Sequence, residues 1–394
     1  MQYGSEFRPT AILDKIFHSH RYWKRVRTNL EKGVHYNVKK LTKKKREENL
    51  RRALAYGNHK SAKDRPEACL ELMEKDADLG YSACFPLEHT KNIVNGELYP
   101  VGIQLQNSIN REGEIYVKMR LTHDLSFPKR DTHSRKRKTE EISLPLPPGY
   151  PVKKQKGPNL NSRCDMTGLI DCMYGQAIRR TCHIVQKLRI LNPRANMLAT
   201  KTDLDKAYRR KHTSGNSAAR SMAVVGDILH VLFRLPFGAS PAPPEWCPIM
   251  EMIVDLANRL VQCKDWNPKT LNSPWHKYFP HIDFKAEIND PLVAYELDVD
   301  VPITSEALAG AEDYVDDGIG ICAGDKILME RMYAAIPLAT HIMSRPVAID
   351  EPIERPEPLN ELKCEGEGKM EDEKNSWDGF SCSMFTPSVC QKTK

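Results

Sequence analysis

The chain has 394 residues, of which 40% are hydrophobic and 28% charged, with a net charge of +7 and a pI near 8.7. That length predicts two or three domains, or one large subdivided one. No run of about 18 apolar residues and no signal-type leader is present, so a membrane span and secretion are not expected. The 11 cysteines form no CxxC pair and no Cys/His zinc spacing, which argues against a disulfide framework and for an intracellular protein of cytoplasm or nucleus.

Residues 1–97 read as a mostly helical, basic extension. Ile12, Ile16 and Phe17 predict one helical face. Lys43–Tyr56 is rich in helix formers and is stopped by Gly57, and Ala68–Lys75 predicts a further helix. From residue 98 the period changes. Tyr99–Leu105 and Ile115–Leu121 predict two strands of a hairpin, followed by a basic, Pro-rich loop over 127–156. Gly168–Leu191 predicts a helix with Ile178, Cys182 and Val185 on its buried face.

Residues 196–345 carry the strongest pattern. Met197–Asp203 reads as a strand, and Ala219–Phe233 as a hairpin turning at Gly226-Asp227. A helix is expected from about Pro244 to Val261, a second hairpin over Ala311–Ala323, and a helix over Met329–Met343. The Pro- and Trp-rich stretch 264–302 reads as an insertion. Residues 346–394 read as a polar tail.

Four motifs carry chemistry. Asp203-Leu-Asp-Lys-Ala-Tyr208 places an acid at a strand's end, where carboxylates meet substrates; a helix cap is the plainer reading. Tyr314-Val-Asp-Asp317 sets two like charges side by side in apolar company. A divalent cation would offset their repulsion, and a solvated turn is the alternative. Arg234-Leu-Pro-Phe-Gly-Ala239 shapes a turn that lets a base or sugar approach the backbone, or is an ordinary Pro/Gly loop. Arg120, in Arg120-Leu-Thr-His-Asp124-Leu-Ser, offers a planar fork suited to phosphate, or is a surface arginine on a sheet edge.

Together and in this order, across residues 120–317, the four motifs resemble those of reverse transcriptases, especially of retrotransposons. The Arg-x-x-His-Asp-Leu-Ser form, the Gly57–Ala62 run and the Arg209-Arg210 pair look more like tyrosine-recombinase-type or algal and protist elements than like retroviruses.

The resemblance implies an α+β fold, the fingers (98–195) and palm of a right-hand polymerase, with an antiparallel palm sheet flanked by helices. It implies a magnesium or manganese site on Asp203, Asp316 and Asp317, with Asp317 the least directly involved. Tyr208 would lie under the incoming sugar, Arg120 would hold the triphosphate, and Leu235, Pro236, Phe237 and Gly238 would contact nucleotide and template. Tyr314 would rest against the primer end, as would Trp377 and Gly379 if Trp377–Phe380 is a primer-grip remnant. Partners would be an RNA template, a DNA or RNA primer and deoxynucleoside triphosphates. The basic clusters at 39–46, 135–138 and 153–156 would grip the backbone, or are solvated charge, and Arg135–Lys138 also reads as a nuclear-localisation signal.

Three features depart from that pattern. No fingers lysine aligns before Arg120, although Arg111 and Lys118 lie nearby. The gap between Asp203 and Asp316 is wide, and no thumb is recognisable after 345. A nucleic-acid-binding descendant without turnover, and an RNA-dependent RNA polymerase, therefore stand beside the leading expectation.

Overall fold

The computed structural model describes residues 6–109, 114–128, 158–169, 176–192, 197–263, 266–268, 308–323, 326–345, 356–360, 374–376 and 380–382. The fold is mixed α and β, with small antiparallel sheets. The basic loop and most of the 264–302 stretch lie outside the described residues, as do Trp377 and Gly379.

The helical extension comprises α1 (Thr10–Phe17), α2 (Trp23–Lys32), α3 (Lys43–Tyr56), α4 (Lys60–Lys63) and α5 (Pro66–Asp78). Thr42 caps α3 by accepting from the Lys45 N–H, and Gly57 ends it at a φ of +70°. In α1 the buried residues are Leu13 and Phe17, one turn apart, and Ile12 is exposed, so the expected apolar face is shifted by one position.

Strands β1 (Ser82–Pro86), β2 (Val101–Ile109) and β3 (Ile115–His123) follow, with β2 and β3 forming the expected hairpin. After α6 (Leu160–Arg163), helix α7 (Ala177–Leu191) buries Ala177, Thr181, Ile184, Leu188 and Leu191. Ile178 is exposed, a second shift of face from the expected one. Both shifts have one cause. Apolar residues on neighbouring helical positions leave the period ambiguous until a partner surface selects one stripe.

Strand β4 (Met197–Asp203) leads through α8 (Ala207–Arg210) and α9 (Gly215–Ala219) to the hairpin β5 (Ala223–Val225) and β6 (Ile228–Leu232), which pairs with β1. The long helix α10 (Ala242–Gln262) precedes β7 (Ala309–Tyr314), β8 (Asp317–Ala323) and α11 (Lys326–Met343). Last among the described elements are the short paired strands β9 (Lys374–Ser376) and β10 (Phe380–Cys382), within the stretch that reads as a polar tail.

The sheet β4-β8-β7 organises the centre. Alternation gives it two faces. Met197, Ala199, Ile319 and Ile321 pack against Ile184 and Leu188 of α7 on one face. Helices α10 and α11 cover the other. There Gly318 and Gly320 sit inside β8 rather than in a turn. A Cβ on Gly318 would stand 2.9 Å from Ile336, and one on Gly320 2.9 Å from Met332, so these glycines let α11 approach the strand. Each buried aliphatic side chain at this interface contributes about 1.5–3 kcal/mol.

One edge of the sheet, β7, is covered by side chains. Asn258 of α10 donates to the Ala311 carbonyl (3.1 Å) and accepts from its N–H (2.7 Å), standing in for a missing strand. Arg180 of α7 reaches round the same edge, pairing with both oxygens of Glu251 (2.8 and 3.1 Å) and with Glu312 (2.6 Å). Among the described residues, no helix is long and apolar enough to cross a membrane.

Candidate active site at the end of the central sheet

The register of β4 on β8 places Asp203 directly opposite Asp317, and β7 places Tyr314 opposite the same Asp317. Asp203, Asp317 and Tyr314 therefore share one face at one end of the sheet. Asp316 lies in the two-residue turn between β7 and β8. The Leu204 N–H donates to its carbonyl at 2.9 Å, which ties the turn to the end of β4. Strand pairing thus brings Asp203 to the end of the sheet that carries the adjacent Asp316 and Asp317.

The turn is strained. Val315 has a φ of +60°, an uncommon value for a β-branched residue. Its carbonyl accepts from the Trp246 indole N–H at 2.7 Å, so helix α10 holds the turn that carries Asp316.

Lys201, two residues before Asp203 on the same strand face, pairs with Asp317 at 3.3 Å. Its ammonium offsets part of the negative charge collected at this end. The period of 2 along β4 could have pointed to Lys201 in the sequence. No local signal points to Trp246.

Tyr208 is 8% exposed and packs between Phe237 (ring centroids 5.2 Å apart) and Trp246 (6.4 Å). Of the four loop residues expected to contact nucleotide and template, Leu235 and Pro236 are buried, whereas Phe237 and Gly238 are exposed. The side chains of Leu235 and Pro236 thus pack inward, and Phe237 and Gly238 form the surface of the loop. Leu235 and Pro236 anchor the loop beneath its exposed tip.

Gly238 adopts a φ of +98°, and a Cβ there would lie 2.2 Å from the His123 carbonyl oxygen. That close approach brings two motifs distant in sequence into contact. Asn161 reinforces it by donating to the Gly238 carbonyl (2.8 Å) and accepting from the Ser240 N–H (2.8 Å). The sequence gives no sign of Asn161.

Arg120 is exposed on β3, opposite Gln104 of β2, in a sheet separate from the one bearing the aspartates. Lys118 shares its strand face. Tyr314 is exposed at the sheet end. Lys39, Lys40, Lys43, Lys44 and Lys45 of the first basic cluster are exposed, and the clusters at 135–138 and 153–156 lie outside the described residues.

Residues 356–360 also border the site. Asn360 N–H donates to the Asp203 carbonyl (2.9 Å), Asp205 N–H donates to the Pro358 carbonyl (3.0 Å), and Leu359 is buried.

The donor set Asp203, Asp316 and Asp317 is all hard oxygen and suits magnesium or manganese. These oxygens are not all gathered within 4.8 Å of one another. Among the described residues the one group of three ligand atoms that close is Cys247, Glu251 and Asp313.

No protein-family model matches the chain, and no curated protein matches it.

Proposed function

We propose that this chain is an RNA-directed DNA polymerase of a retroelement, built as fingers and palm, whose site is Asp203, Asp316 and Asp317. The observation that carries the reading is the strand register that sets Asp203 opposite Asp317, with Asp316 in the adjoining turn. The order of the four motifs supports it.

Nucleotidyl transfer needs a primer hydroxyl in line with an α-phosphate, and beyond that chiefly positioning and charge stabilisation. Divalent cations bound there would lower the hydroxyl's pKa and stabilise the leaving pyrophosphate. Asp203 and Asp316 would hold them. Asp317, shared with Lys201, would tune the local charge. The ring of Tyr208 would fill the volume a ribose 2′-hydroxyl needs. Phe237 and the exposed Gly238 backbone would face the base pair, and the template would supply sequence specificity. Arg120 would reach the triphosphate from the β2–β3 hairpin, with Lys118 beside it.

A second reading is a nucleic-acid-binding module without turnover. It is favoured by the Lys201–Asp317 pair, which puts a protein cation next to one expected metal ligand, and by the exposed lysines between 39 and 45.

Extension of a DNA or RNA primer on an RNA template separates the readings, using deoxy- or ribonucleotides with magnesium or manganese. Deoxynucleotide incorporation lost in Asp316→Asn is expected. Salt-dependent binding without extension would leave only the second reading, and preferential ribonucleotide incorporation would point to an RNA polymerase.

A further inference from the structure

We propose that Cys247, Glu251 and Asp313 form a buried zinc site that fastens helix α10 to the edge strand β7, separate from the three aspartates at the sheet end. Cys247 and Glu251 are one turn apart on α10, so both project to the same side of the helix. Asp313 belongs to β7 and pairs in register with Gly318, on the face that α10 and α11 cover. One ligand atom from each of the three lies within 4.8 Å of the others.

Asp313 is the residue that calls for a ligand. It is 1% exposed, and neither of its carboxylate oxygens has a hydrogen-bond partner. A buried ionised carboxylate without a partner is strongly unfavourable, so it must take up either a cation or a proton. Burial first, then Glu251 and Glu312, push its pKa well above the ordinary carboxylate range.

The charges around it are unbalanced. Glu251 and Glu312 both pair with Arg180, so with Asp313 these four side chains carry a net of −2 when all are ionised, and Asp255 adds a further negative charge nearby. With Cys247 bound as a thiolate, its proton released, the excess becomes −3, and a divalent cation would offset two of those charges. Arg180 occupies one lone pair on each Glu251 oxygen, and each oxygen keeps a second for a metal.

The donor set chooses the metal. One cysteine sulfur with two carboxylates suits zinc rather than magnesium, which prefers oxygen alone. Tetrahedral zinc holds its ligand atoms roughly 3.5 Å apart, so the side chains would close in on binding. Water would complete the tetrahedron. The site would stiffen β7 just before the Val315 turn, because Asp313 is two residues from Val315.

The rival occupant is a proton on Asp313, and the two differ experimentally. The purified full chain, stripped with a chelator, is titrated with Zn2+ while its thermal midpoint is followed. In parallel, Co2+ is added and the thiolate-to-cobalt charge-transfer absorption is read. Zinc is expected to raise the midpoint by several degrees, and cobalt to give a band that zinc displaces. Cys247→Ser should remove the band, and Asp313→Asn should weaken zinc binding at least tenfold. The asparagine keeps the shape of a protonated aspartate, so this variant stays folded under either occupant. An unchanged midpoint in the wild type overturns the site, as does a zinc effect and a band that both variants retain. Asp316→Asn, tested alongside, should keep the full zinc response whether or not the chain polymerises nucleotides.

Discussion

The indole N–H of Trp246 donates to the carbonyl of Val315 at 2.7 Å, and Val315 holds a φ of +60°. One helix thus secures a turn that its own sequence disfavours, next to Asp316. Backbone strain of this kind costs on the order of 1–3 kcal/mol and persists only where surrounding contacts enforce it. Trp246→Phe keeps the ring against Tyr208 and removes the donor. We expect it to lower unfolding free energy by about 1–2 kcal/mol and to reduce nucleotide incorporation further than that loss explains. Val315→Gly should recover about 1 kcal/mol by relieving the strain. Denaturant unfolding of both variants checks the pair, and a destabilised Val315→Gly protein would show that the turn is not strained.

Tyr208 serves packing and, on the proposed reading, sugar choice. Truncation to Ala in its place between Phe237 and Trp246 should cost about 3–5 kcal/mol. In protein that remains folded at low temperature, the ratio of ribo- to deoxynucleotide incorporation should rise. Asp316→Asn should lower both rates together. Single-turnover incorporation reads the ratio, and an unchanged ratio in Tyr208→Ala would assign the ring to packing alone.

Gly238→Ala tests whether the loop tip depends on the approach to His123. A Cβ 2.2 Å from that carbonyl oxygen, at a φ of +98°, cannot be accommodated without moving backbone. The expected cost is more than about 2 kcal/mol. Asn161→Ala, which removes the ties to Gly238 and Ser240, should cost less and displace the same loop. Thermal unfolding ranks the two, and the reverse order would mean that the tip has room.

His123 and His230 stack with ring centroids 6.1 Å apart. Burial holds both neutral, and Arg209 adds to the effect, pushing His230 down to about 3. Burial and Arg234 bring His212 to about 4. A depressed histidine pKa gives stability that is present above about 6.5, the unfolded value, and is lost as pH falls towards the folded one. Stability should therefore hold above pH 6.5 and fall from there to pH 5, before most carboxylates titrate. Each histidine contributes up to about 1.4 kcal/mol per pH unit. His230→Phe should flatten the profile in denaturant titrations between pH 5 and 7, and an unaltered slope would exclude this pair as its source.

The sequence by itself determined the local pieces. Helix α3 begins and ends where its composition and Gly57 place it. The three hairpins were legible from alternation and turn residues, and strand β4 from its position before Asp203. Asp203, Asp316 and Asp317 stood out because their motifs occur in order with two others, since an Asp at a cap or in a turn is ordinary by itself.

Only the tertiary structure decided what depends on a distant partner. The role of Gly318 and Gly320 shows only where α11 lies against β8. Which side chains of the 235–238 loop face inward and which outward depends on what packs beneath it: Leu235 is buried and Phe237 exposed. The grouping of Cys247, Glu251 and Asp313 has no sequence spacing to betray it, because it joins a helix face to an edge strand. Period and propensity report the nearest few residues. Burial, charge pairing and register are set by surfaces that meet only once the chain has folded.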